Sequence, residues 1–125
     1  MATVFSLIVA AIAFYACMDA SDQSGSFSGK ISYNYHVRPI LSDKCFKCHG
    51  PDLNKMEAGL RLDLPEYAFA PLKETKGAYA LVPGKPDSSE LYRRVISTDP
   101  GYMMPTPDSH LGALSPEEQT IIRKW

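Results

Sequence analysis

The pentapeptide Cys45-Phe46-Lys47-Cys48-His49 constrains this chain more than any other feature. Two thiols stand two residues apart and an imidazole follows at once. Three kinds of chemistry use such a cluster: a covalent haem, a zinc ion, or a redox disulfide. A structural zinc site wants four protein ligands. Here Cys45, Cys48 and His49 would need His36 or His110 as the fourth, and there is no second C-x-x-C. A thioredoxin-like disulfide belongs in a βαβ context, which this pattern lacks. Haem attachment needs thiols spaced to reach both vinyl groups and an imidazole directly behind them for the iron. C-x-x-C-H is the sequence signature of that attachment. This reading leads: one haem c per chain, attached at Cys45 and Cys48, with His49 on the metal.

Iron then needs a sixth ligand from the far face, usually a methionine thioether. Met103 and Met104 lie in a Gly/Pro-rich loop before the last helical segment. Methionine is often core filler, but two adjacent methionines in such a loop fill a core poorly. Met104 directly precedes Pro105, which stiffens the loop, so Met104 is favoured over Met103. Of the other histidines, His36 and His110 read as surface or hydrogen-bonding residues, with His110 the more plausible rival ligand. Arg61, flanked by leucines, is a candidate partner for the anionic haem propionates. Lys44 and Lys47 flank the motif, where they could dock an acidic redox partner or simply be solvated.

The chain has 125 residues, one domain by length. A net charge of −1 offers no broad basic field for nucleic acid. Ten prolines and eight glycines point to short elements and long loops. Small loop-rich domains often need a staple such as a cofactor.

Three cysteines are one too many for a pair. Residues 1–16 carry no charge and end in Ala16 before Cys17. The run is shorter than the roughly 20 apolar residues of a spanning helix, which suits an export signal. The small residue before Cys17 resembles a lipoprotein cleavage site, with Cys17 acylated. There is no Lys or Arg ahead of the run, and Tyr15 is bulky for its position. An uncleaved signal anchor and an ordinary signal peptide therefore stay open. Each places the domain outside the cytoplasm, periplasmic or at a bacterial cell surface. Residues 18–30 read as a Ser/Gly/Asp-rich tether, and residues 31–125 as the folded domain.

Within that domain, Asn34 is expected to cap a helix running into Cys45, with Val37, Ile40 and Leu41 on one face. "AGLRLDL" reads as extended chain laying leucines on something apolar, and "PEYAFAPLK" as a short helix. "DSSELYRRVI" reads as a helix capped by Asp87 or Ser88, with Leu91, Val95 and Tyr92 inward. Ser115, Pro116 and Glu118 form a capping-box signature for a last helix still running at Trp125.

The stretches "VRPILSDKCFKCHGPD", "AGLRLDL", "LVPGKPDSSELYRRV", "MMPTPDSHLGALSPEE" and the terminal "RKW" together resemble the planctomycete-type cytochrome c domains, within the class I cytochrome c superfamily. The resemblance covers most of residues 31–125. It implies an all-α fold around one haem, with thioethers at Cys45 and Cys48, His49 as proximal ligand and Met104 as distal ligand. The family often has a second proline after the first; here Thr106 stands between Pro105 and Pro107. The resemblance also implies an electron carrier rather than an enzyme, often the N-terminal module of a larger exported protein. Its partner would be a redox protein or a fused C-terminal domain.

Overall fold

The structure, a computed structural model, describes residues 27–125. The signal segment, Cys17 and most of the tether lie outside the described residues. The expected helix around Pro39 is present but begins differently. A π-helical turn, Tyr33–Val37, runs into α1, Arg38–Lys44. Ser32 takes the N-cap position, and Asn34 lies inside the turn. Pro39 explains the widening. Its ring would press on the carbonyl four residues back, and it offers no N–H. Opening the turn moves that carbonyl aside, and the Arg38 N–H reaches Tyr33 O instead. His36 has a structural task here: its Nδ1 accepts from the Ser32 N–H at 2.8 Å, and its ring meets Phe27 edge-on at 4.7 Å.

Cys45 breaks the helix (φ −126°, ψ −39°), and one further turn, α2, spans Phe46–His49. Gly50 ends it under tight contact. A Cβ there would lie 2.3 Å from Phe46 O and 2.7 Å from Phe46 Cβ. Gly50→Ala must therefore displace the backbone carrying the motif. The expected loss is about 1–3 kcal/mol of unfolding free energy, read by denaturant melts of the purified protein. An unchanged midpoint would show that the turn yields freely.

Beyond the motif, α3 spans Pro65–Ala68, α4 spans Glu90–Val95 and α5 spans Pro116–Lys124. The α4 helix starts later than expected from Asp87 or Ser88. Those residues form a 3-10 turn, Pro86–Ser88, and Ser89 stands at the N-cap. The Ser89 hydroxyl serves the preceding loop, accepting from the Val82 N–H at 2.9 Å and donating to Lys85 O at 3.0 Å. The capping box of α5 is present: Ser115 Oγ accepts from the Glu118 N–H at 3.2 Å, and Glu118 accepts from the Ser115 N–H at 2.7 Å. Among the described residues there is no strand, only an isolated bridge between Pro71 and Tyr79. The fold is all-α. No described helix is long and apolar enough to cross a membrane.

Val37 and Leu41 are fully buried and anchor the core with Ile40, as their helical spacing dictates. Leu91, Tyr92 and Val95 enter from α4, and Ile121 and Ile122 from α5. The α5 helix packs on α4 and on the π-turn, where Trp125 meets the Tyr33 ring at 5.7 Å. Gln119 joins the helices by donating to Val95 O and Leu114 O, each at 3.2 Å. That contact satisfies a carbonyl left open at the end of α4.

Candidate functional site

The site begins at α2, which carries Cys48 and His49 and has Cys45 at its start. Its last carbonyls lack helical partners, and a following segment supplies them. The Glu57 N–H donates to Cys48 O at 2.9 Å, and the Leu62 N–H to His49 O at 2.8 Å. Between these points Ala58 and Gly59 have positive φ, 54° and 64°. The turn lays Leu60 and Leu62 beside the motif. Across from them stand Leu91, Arg94 and Val95 of α4, with Leu72 and Ala80 from the preceding loop. That loop is pinned by Leu72 N–H to Ala78 O (2.9 Å) and Leu91 N–H to Ala80 O (3.0 Å). Met104 completes the wall.

These residues line a cleft of ≈ 120 Å³ that is walled mainly by apolar side chains with a few polar groups among them. Cys45, His49 and Met104 all line it. Cys48 is half-buried beside it on α2, and Met103 is not in the lining. The Met104 N–H donates to Arg94 O at 3.1 Å, and the Met103 N–H to Asp99 O at 2.8 Å. The Met104–Pro105 peptide is cis.

The electrostatics of the motif follow from its burial. Burial pushes the Cys45 thiol up to about 12, with Asp43 and Cys48 adding to the effect. Redox and metal-binding cysteines work as thiolates and sit where their pKa is lowered. Cys45 and Cys48 are both free rather than joined. Among the described residues, no three His, Cys, Asp or Glu side chains gather as a metal-holding group. Burial lowers the His49 imidazole below its ordinary value, while the Leu60 and Glu57 backbone pulls the other way. The ring is therefore neutral near pH 7, the form that binds metal.

The planctomycete cytochrome C family matches the chain over residues 45–108, just over half its length. The chain belongs to that family. No curated protein and no solved structure matches it. As a cytochrome c domain it has a haem-binding, electron-transfer role, and its residues fit the group. His49 Nδ1 is buried with no hydrogen-bond partner in good geometry. Such an orphan costs about 1–3 kcal/mol. Ligand histidines ordinarily donate this N–H to a nearby backbone carbonyl, and the Glu57 and Leu60 backbone lies close by. Aliphatic walls suit the faces of a macrocycle, and Lys73 and Arg94 in the lining suit its carboxylates.

The cytochrome domain uses other candidate residues elsewhere. Arg61 is absent from the cleft lining. It binds Asp63 through two hydrogen bonds, 3.0 and 2.5 Å, and lies 5.6 Å from the Tyr67 ring centroid. Alternation explains this: Leu60 and Leu62 face the cleft, so Arg61 and Asp63 take the other side. Lys44, half-buried, donates to Leu111 O (2.9 Å), and Lys47, exposed to solvent, donates to Ser109 O (3.1 Å). His110, between those carbonyls, is exposed, left-handed (φ 58°) and outside the cleft.

The Arg61–Asp63 pair gives a pH prediction. The hydrogen bond from Arg61 holds the Asp63 carboxyl below its ordinary value. A depressed carboxylate stabilises the fold above the unfolded value of about 3.9. That contribution fades as pH falls through the folded value. Asp63→Asn should therefore flatten the acid limb of the unfolding curve below about pH 4, measured by thermal melts across pH. An unaltered acid limb would mean that the pair is too solvated to matter.

Glu90 and Arg94 line the cleft, and Tyr102, outside the lining, binds both; sequence reading overlooked all three. Glu90 and Arg94 sit four apart, on a helical stripe beside Leu91 and Val95. That spacing was the available signal.

Proposed function

We propose that this chain is a monohaem c-type cytochrome domain that passes single electrons outside the cytoplasm. One observation carries the reading: His49 and Met104, from opposite ends of the family match, line one cleft with Cys45. Haem, when bound, supplies the one-electron couple. Cys45 and Cys48 would hold it through thioethers, and His49 and Met104 would ligate its iron. Leu60, Leu62, Leu72, Leu91 and Val95 exclude water from the cleft and lower its dielectric. Methionine ligation and a dry pocket both favour a high potential.

With two protein ligands on the metal, the domain relays electrons and turns nothing over itself. Its partner would be a redox protein or a domain fused beyond Trp125. A lipid on Cys17 or a signal anchor would hold it at the membrane on the periplasmic or cell-surface side.

The test is the spectrum of the purified holoprotein, in both oxidation states, with and without carbon monoxide. A six-coordinate low-spin spectrum indifferent to carbon monoxide supports electron transfer. A five-coordinate spectrum that binds the gas would favour ligand sensing or peroxidase chemistry instead. A haem that no donor reduces and no acceptor oxidises would leave a structural module.

A further inference from the structure

Met104 sits in a loop, and methionine is a flexible side chain with three rotatable bonds. Something has to hold its sulfur at the cleft. Two residues before it, Tyr102 is fixed to α4 in three ways. Its hydroxyl donates to Glu90 Oε2 at 2.7 Å, its carbonyl accepts from Arg94 Nη1 at 3.3 Å, and its ring lies 4.4 Å from the Arg94 guanidinium. The same arginine's carbonyl takes the Met104 N–H at 3.1 Å. Glu90 is buried and held by Arg93 at 3.1 Å and Arg94 at 3.3 Å. A buried carboxylate at a helix start is a costly choice for packing alone, where an apolar residue serves as well.

We infer that Tyr102, bolted to Glu90 and Arg94, is a positioning residue that keeps Met104 at the cleft. The inference rests on the reading of Met104 as distal ligand. The bolt fixes the loop two residues upstream of Met104, while Lys44 and Lys47 hold the same loop downstream at Leu111 and Ser109. Met104 is therefore suspended between two anchored points. Loosening the upstream anchor leaves the fold intact and frees the ligand. A hydrogen bond to a charged group, once removed, changes an equilibrium by roughly tenfold or more.

The experiment uses the full-length holoprotein and its Tyr102→Phe variant, which removes only the hydroxyl. Imidazole is titrated in as a competing iron ligand, and loss of the thioether-to-iron absorption band is followed. Tyr67→Phe, outside the cleft, is the matched control. The expected result is displacement by about tenfold less imidazole in Tyr102→Phe, in a protein still folded at the assay temperature, and a control that behaves as wild type. Glu90→Gln, which keeps an acceptor for the hydroxyl, should fall between the two. It answers the same question if Tyr102→Phe does not accumulate. Equal imidazole midpoints in wild type and both variants would overturn the positioning role. A wild-type protein with no thioether band would overturn the ligand assignment beneath it, a distinguishable failure.

Discussion

Met104→Ala converts the iron to a high-spin or water-ligated form, opens it to carbon monoxide and lowers its potential. Axial ligation tunes haem potentials over roughly 0.8 V, so losing the thioether should cost on the order of 0.1 V or more. The cause is local. Met104 is the methionine in the cleft lining, and Met103 is outside it. Met103→Ala should therefore leave spectrum and potential almost unchanged. Spectroelectrochemical titration of the two variants side by side decides the matter. If Met103→Ala gives the large effect, the ligand assignment is wrong.

The double variant Cys45→Ala/Cys48→Ala should yield no covalent haem and a chain that no longer unfolds cooperatively. Five large aliphatic side chains, Leu60, Leu62, Leu72, Leu91 and Val95, line the cleft. Burying one fully contributes about 1.5–3 kcal/mol, and a whole domain has only about 5–15 kcal/mol of net stability. Leu62, Leu91 and Val95 are also buried by the core, so losing the haem uncovers mainly Leu60 and Leu72, still a sizeable share of that total. Thermal denaturation followed by circular dichroism reads this directly. A sharp transition near the wild-type temperature would show that the apo core suffices.

Much of this could be read from residue order, and the exceptions have physical causes. The capping box at Ser115 and Glu118 was legible because both halves of its hydrogen-bond exchange lie within one turn. The core face of Val37, Ile40 and Leu41 was legible from helical spacing. The helix start at Asn34 was misplaced because the turn ahead of Pro39 widens into a π-turn, a local backbone accommodation that capping preference does not encode. The start of α4 was placed too early because the Ser89 hydroxyl is committed to the loop before it.

At the cleft, Cys45, His49 and Met104 were singled out by the chemistry of their residue types, and the fold brings the three into one lining. Arg61 was read by its charge and leucine neighbours. The alternation of those leucines already turned it away from the cleft, toward Asp63. Lys44 and Lys47 looked like solvated or docking charges. Their carbonyl partners, more than sixty residues away in sequence, could not be foreseen. The Glu90–Arg94–Tyr102 cluster was hidden for a related reason, because Tyr102 reaches α4 only through the fold of the loop between them.

The central claim is that Cys45 and Cys48 attach haem covalently, and one measurement tests it most directly. The chain is expressed in a host with active cytochrome c maturation, purified, denatured and extracted with acidified organic solvent. Haem absorption that stays with the polypeptide, and is lost in Cys45→Ala/Cys48→Ala, is the predicted result. A colourless polypeptide despite active maturation would contradict the account and direct attention to bound zinc in the same sample.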